Sequence, residues 1–223
     1  MPTHVTAKQF IEKLDQLGSA ANQYEDVGMG QIFALAKECM DMPPAEIEKL
    51  LESPIHKVRA GAVSIMDWRA RSKKTTKARR KELFDLYIRR HDGIDNWDLV
   101  DRCAPYVVGG YLSDKPRDIL YKLARSKDMW ERRTAIVSTY YFIRQSDLDD
   151  TFKIAEILVY DEEDLVQKAV GGWVREAGKK DLKKLLRFLD KYAATMPRTT
   201  LRYAIEHLDK KQKEHYMGLK KGR

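Results

Sequence analysis

The chain has 223 residues, 43% of them hydrophobic, with 42 Lys and Arg against 34 Asp and Glu and a formal net charge of +8. That apolar fraction can bury a sizeable core in one domain or an extended array. The basic excess (pI about 9.3) admits an anionic partner such as a nucleic acid. Two cysteines without metal-like spacing, Cys39 and Cys103, exclude a disulfide framework, and no apolar run nears the roughly twenty residues that span a bilayer. With no export pattern in MPTHVTAKQF, a soluble cytoplasmic protein with no membrane partner is expected.

Taken in order, the apolar spacing is helical nearly everywhere. Phe10, Leu14 and Leu17 recur at three and four residues before Gly18, and Ile32, Leu35 and Ala36 do so before Met42-Pro43-Pro44. Ala45 to Leu51 reads as a short helix ending at Ser53-Pro54. His56 to Arg69 carries Val58, Ala62, Ile65 and Met66 on one side, and Ala78 to Arg89 is strongly basic. Asn96 to Pro105, NWDLVDRCAP, places Trp97 and Asp101 four residues apart on one helical face. An indole beside a carboxylate there means either a capped, half-buried helix or a surface that holds something flat and cationic. Pro105 and Pro116 each fit the first turn of a helix. Asp128, Asp147 and Asp164 read as N-caps of helices over Trp130 to Ile143, Thr151 to Val159 and Leu165 to Ala177, with Gly178 as a stop. No hairpin pattern appears, so the chain is expected to be all-α.

Three segments share a polar or basic residue, any residue, alanine, then a branched apolar residue: Arg133 to Ile136, Gln167 to Val170 and Arg202 to Ile205. Ala60 to Val63 repeats the idea more weakly upstream. Their alanines recur at roughly the period of paired-helix repeats, which predicts an α-solenoid of HEAT-like helical repeats with a concave basic face, and a single domain over residues 1–223. Arg133, Lys168 and Arg202 would line one side of it. The basic run from Arg69 to Lys81 reads either as a phosphate-tracking stretch or as a solvated face, and the tail after residue 210 as a frayed, solubilising end. Gly109-Gly110 and Gly171-Gly172 lie inside helical patterns, where close helix packing or a ligand near the backbone explains them. Phosphate-loop, dinucleotide and nucleophile-elbow motifs are missing, and the five histidines are too scattered for a metal site, so no metal and no cofactor is expected.

NWDLVDRCAP, DMWERRTAIVSTYYFIR (128–144), VQKAVGGWVREAGKKD (166–181), MPRTTLRYAIE (196–206) and, upstream, LLESPIHKVRAGAVSIM (50–66) together resemble the HEAT-like DNA alkylation repair family, the alkylpurine DNA glycosylases, over about residues 28–210. The resemblance implies a monomeric enzyme that holds double-stranded DNA by its backbone and hydrolyses the N-glycosidic bond of cationic alkylated purines, N3-methyladenine and N7-methylguanine. It matches Trp97 and Asp101 to the family's lesion-facing pair and Arg133 to an arginine contacting DNA beside the lesion. The position of a second lesion-facing tryptophan falls on Gly172, with an indole one place later at Trp173. One residue is about 100° of helix rotation, so Gly172 shares its face with Lys168 and Arg175, and Trp173 turns toward the packing face unless the helix is locally rewound. Lys168, Arg175, Arg198 and Arg202 are expected as backbone contacts, with a pairing of Arg198 or Arg202 to Glu206 as their other reading. A non-catalytic module that binds damaged or branched DNA is the alternative function.

Overall fold

The computed structural model describes residues 4–19, 24 and 26–219, and among them every element is helical. They form two compact units, residues 1–111 and 112–223. The first holds α1 (Ala7–Leu17), α2 (Met29–Glu38), α3 (Pro44–Leu51), α4 (His56–Arg71), α5 (Lys77–Arg89) and α6 (Trp97–Ala104), followed by a π-turn, Pro105–Gly109. The second holds α7 (Asp118–Leu123), α8 (Met129–Ser138), α9 (Tyr140–Arg144), α10 (Asp149–Leu158), α11 (Asp164–Gly178), α12 (Leu182–Tyr192), α13 (Arg198–Ala204) and α14 (Lys210–Gly218).

Each unit is built around one helix. In the first it is α4, packed against α2, α3, α5 and α6. Its run AGAVSIMD is buried on all sides, which is why small and branched residues alternate there instead of leaving a polar stripe. Gly61 lets α1 approach, since a Cβ there would lie 2.5 Å from the Phe10 ring. In the second unit α11 plays this part, packed against α8, α9, α10, α12 and α13. The repeat alanines Ala62, Ala135, Ala169 and Ala204 are all buried, as the close-approach reading requires.

Helix ends follow local chemistry. Thr6 accepts from Gln9 N while the Gln9 side chain accepts from Thr6 N, closing a capping box on α1. Asp128 caps α8 as expected, accepting from Trp130 N at 2.7 Å. The helix anticipated from Trp130 to Ile143 is broken, however, at Thr139, whose hydroxyl donates to Ile136 O, and resumes as α9. Ser146, at φ 61°, turns the chain after α9.

Several expectations are corrected. Asp147 does not cap α10; it pairs with Arg117 Nη2 at 2.7 Å, and Leu148 occupies the cap position. Asp164 is the first residue of α11 rather than its cap, and its carboxylate goes to Lys168. Gly178 is the last helical residue of α11, with Lys179 as C-cap. Pro105 does open a helical segment, the π-turn that continues α6 and closes from Gly110 N to Pro105 O at 3.0 Å, but Pro116 precedes α7 without entering it. Leu17, expected on the buried face of α1, is exposed. The tail anticipated as frayed contains α14, capped by Asp209; Lys220, Lys221 and Arg223 lie outside the described residues.

The paired glycines of α11 have opposite surroundings. A Cβ at Gly171 would lie 2.4 Å from Thr200 O and 2.6 Å from Tyr203 Cβ, whereas one at Gly172 would meet nothing within 4 Å. Gly171→Ala is therefore expected to destabilise the protein by about 1–3 kcal/mol, and Gly172→Ala to stabilise it by up to about 1 kcal/mol. Urea unfolding of the two variants checks both signs.

Candidate nucleic-acid interface

In the first unit the candidate site is α6. Leu99, Val100, Cys103 and Ala104 are buried. Trp97, the first residue, is 51% exposed, and Asp101, one turn on, is half-buried. Burial of the opposite side is what turns this pair outward. The helix start is held twice: Asn96 Oδ1 accepts from Trp97 N at 2.7 Å, and His56 Nε2, from the start of α4, lies 2.9 Å from Asp98 Oδ2.

Behind α6 lies a network that the sequence analysis missed. Asp67 of α4 is fully buried, and its Oδ1 accepts from Arg71 Nε at 2.8 Å while Oδ2 faces Arg102 Nη2 of α6 at 3.3 Å. Arg102 stacks over the Phe33 ring at 4.3 Å and that of Trp68 at 5.1 Å, and Arg71 lies over Tyr106 at 3.9 Å. Trp68 Nε1 donates to Phe33 O at 3.0 Å. Burial pushes the Asp67 carboxyl above its ordinary range, against the pull of Arg71 and Arg102, and burial also lowers Arg102. The signal was present in the sequence as a lone carboxylate inside the apolar run AGAVSIMDW. Burial likewise raises both buried thiols, Cys39 and Cys103.

The basic run from Arg69 to Lys81 is largely committed within its own unit. Arg69 pairs with Asp41, Arg71 with Asp67, Arg79 with Glu82 at 3.0 Å and Lys81 with Asp85 at 2.6 Å. Arg80 donates to the carbonyls of Ala70 and Ser72, closing the loop into α5. Lys73, Lys74 and Lys77 are exposed.

In the second unit Arg133 on α8 is 93% buried by its 7% exposure and donates to Leu165 O at the start of α11. Lys168 lies 2.6 Å from Asp164 Oδ2, whose other oxygen accepts from Thr199 Oγ1 at 3.3 Å; the Asp164 carboxylate holds the Lys168 ammonium protonated. Trp173 packs inward, against Ile143, Leu148 and Ala177, with its ring 5.1 Å from that of Tyr140. This is the packing role that the 100° rotation predicts, and the Gly172 side is left open. Arg175 pairs with Glu206 and, at 3.1 Å, with Glu176. Glu206 is thus not the partner of Arg198 or Arg202: Arg198 donates to Met217 O at 2.8 Å, and Arg202 is exposed and makes no hydrogen bond or ion pair among the described residues. Trp130 is half-buried at the start of α8.

Among the described residues no cluster of three or more His, Cys, Asp or Glu is placed to hold a metal, and no helix is long and apolar enough to cross a membrane.

The fold is shared with solved proteins. A predicted DNA alkylation repair enzyme from Enterococcus faecalis superimposes with a TM-score of 0.64 at 15% identity, covering 93% of this chain and 100% of that one. AlkD2 from Streptococcus mutans does so with a TM-score of 0.63 at 16% identity, covering 92% and 100%. No curated protein matches the chain significantly. The family model described as DNA alkylation repair enzyme matches residues 6–208. The chain therefore belongs to the DNA alkylation repair family, an all-α class of proteins.

The Asp67 network generates a prediction with a definite sign. A carboxyl raised on folding from its ordinary 3.8 binds more protons in the folded state, so its contribution to stability is largest at low pH and falls as pH rises through the raised value. Asp67→Asn is expected to flatten the decline in stability above about pH 4. Asp67→Ala, which leaves two arginines facing no carboxylate, is expected to cost about 3–5 kcal/mol near neutrality. Urea denaturation across a pH series reads both.

Proposed function

We propose that the protein is a DNA glycosylase that releases cationic alkylated purines, N3-methyladenine and N7-methylguanine, from double-stranded DNA. The observation that carries this reading is the pair on α6, a half-exposed Trp97 with a half-buried Asp101 one turn away on a helix whose apolar side is buried, in a chain of the DNA alkylation repair family.

The chemistry suits those two groups. A purine alkylated at a ring nitrogen already carries the positive charge, so when its bond to C1′ breaks the electron pair goes to the base, which departs neutral without an acid. The positive charge passes to the sugar as an oxocarbenium ion. The Asp101 carboxylate stabilises that charge and orients the water whose oxygen bonds to C1′. That water then loses a proton to solvent, leaving an abasic site. The Trp97 ring offers its electron-rich face to the same cation, worth about 0.5–2 kcal/mol depending on desolvation. Lys168, Arg175, Arg198 and Arg202 are the backbone contacts in this reading, and the buried Arg133 acts through the start of α11 that it holds; they position the duplex without reading its sequence.

A second reading is favoured by the open Gly172 and the inward Trp173, which leave no indole in the second unit's α11 facing outward. In it the protein binds damaged or branched DNA without cleaving.

Incubation with DNA containing N7-methylguanine separates the two. The wild type is expected to release free base, and Asp101→Asn to slow release by about 10²–10³-fold with duplex binding retained. Absence of release by the wild type, with binding that weakens steeply as salt rises, would leave the non-catalytic reading standing. Absence of binding at low salt would remove both.

A further inference from the structure

We propose that Tyr203, beside the opening at Gly172, forms a stacking subsite for one nucleotide of the bound DNA, with Lys168 and Arg202 as its phosphate contacts. The proposal rests on the DNA-binding reading above and adds an aromatic residue to it.

The second unit exposes two tyrosines, Tyr160 at 57% and Tyr203 at 38%. Tyr160 is committed: its hydroxyl lies 2.9 Å from Thr195 Oγ1 and its ring sits edge-on to Tyr192. The Tyr203 side chain makes no hydrogen bond, aromatic stack or cation–π contact among the described residues. An aromatic side chain held by a rigid backbone, more than a third exposed and with its hydroxyl unbonded among the described residues, is only partly explained by packing.

Its backbone is rigid because α13 lies directly on α11. The close approach at Gly171, 2.6 Å from a built Cβ to Tyr203 Cβ, fixes where the phenol ring begins. One residue along α11, Gly172 faces open space. A side chain at that position would compete with a ligand lying alongside the tyrosine; hydrogen alone leaves the room. Lys168 stands one turn before Gly172 on the same face. Its partner Asp164 is a surface i,i+4 contact of 2.6 Å, an interaction weak enough for a phosphate to replace. Arg202, next to Tyr203, is exposed and uncommitted. A flat ring, an empty slot beside it and two cations at its margin match a nucleotide, whose base or sugar stacks while its flanking phosphates are neutralised.

The test is equilibrium binding of a short fluorescein-labelled duplex to the full chain, by anisotropy over a salt series. Tyr203→Ala is expected to weaken binding roughly 5- to 150-fold with the salt slope unchanged, because the lost contact is stacking and not charge. Tyr203→Phe should stay close to wild type. Lys168→Ala should lower the slope by about one. Gly172→Leu, whose Cβ enters open space, should melt at or above the wild-type temperature yet weaken binding; it decides the matter alone if Tyr203→Ala does not fold. The proposal is overturned if Tyr203→Ala or Gly172→Leu binds like the wild type, or if Phe is as damaging as Ala. A wild type that fails to bind at low salt removes the DNA-binding reading itself, a result distinct from any of these.

Discussion

A helix buried on every side can bring a charge into a core only if its neighbours supply the compensation. In the first unit α4 does this at Asp67, and the compensation comes from Arg71 on the same helix and Arg102 on α6. The geometry of α6 is therefore coupled to a charge it does not carry. Arg102 cannot leave without exposing Asp67, and it is further held between Phe33 and Trp68, so α2, α4 and α6 share one polar and aromatic joint. The outward residues of α6, Trp97 and Asp101, are thereby presented by a rigid support, which is what a site built on a helix requires.

The second unit solves the same problem of a central helix with small residues instead of charge. Gly171 admits α13, Ala169 and Ala204 lie buried, and Trp173 fills the side toward Ile143 and Leu148. Its cations are mostly spoken for by partners within the unit. Arg133 secures the start of α11 through Leu165 O, and Arg175 bridges α11 to the residues after α13 through Glu206. Such partners lower the cost of holding many like charges near one another.

How much of this was legible in the sequence depended on whether the deciding partner lay nearby. The all-α class, the positions of α1 to α5 and the Asp128 cap follow from periodicity and local capping, and the structure agrees. The rotation that separates Gly172 from Trp173 could be read from helix geometry alone. What could not be read were the destinations of charged side chains. Asp147 and Asp164 have the look of caps, yet their carboxylates are taken by Arg117, thirty positions upstream, and by Lys168 with Thr199. Asp67 and Arg71 resemble an ordinary i,i+4 surface pair until packing around α4 buries Asp67 and leaves Arg71 at the rim. Leu17 failed for the opposite reason: three apolar residues in register do not guarantee that a neighbour reaches the last of them.

The adjacent glycines of α11 separate two kinds of selection along a single turn of helix. Position 171 is closed to any side chain by the backbone of α13, so drift there is paid in folding. Position 172 is open, and what occupies it is invisible to the core. A side chain can therefore start from position 172 without displacing the neighbouring helix, and the group offered there is separable from the scaffold. What the protein recognises and what keeps it folded are then set by adjacent residues of one helix that answer to different constraints.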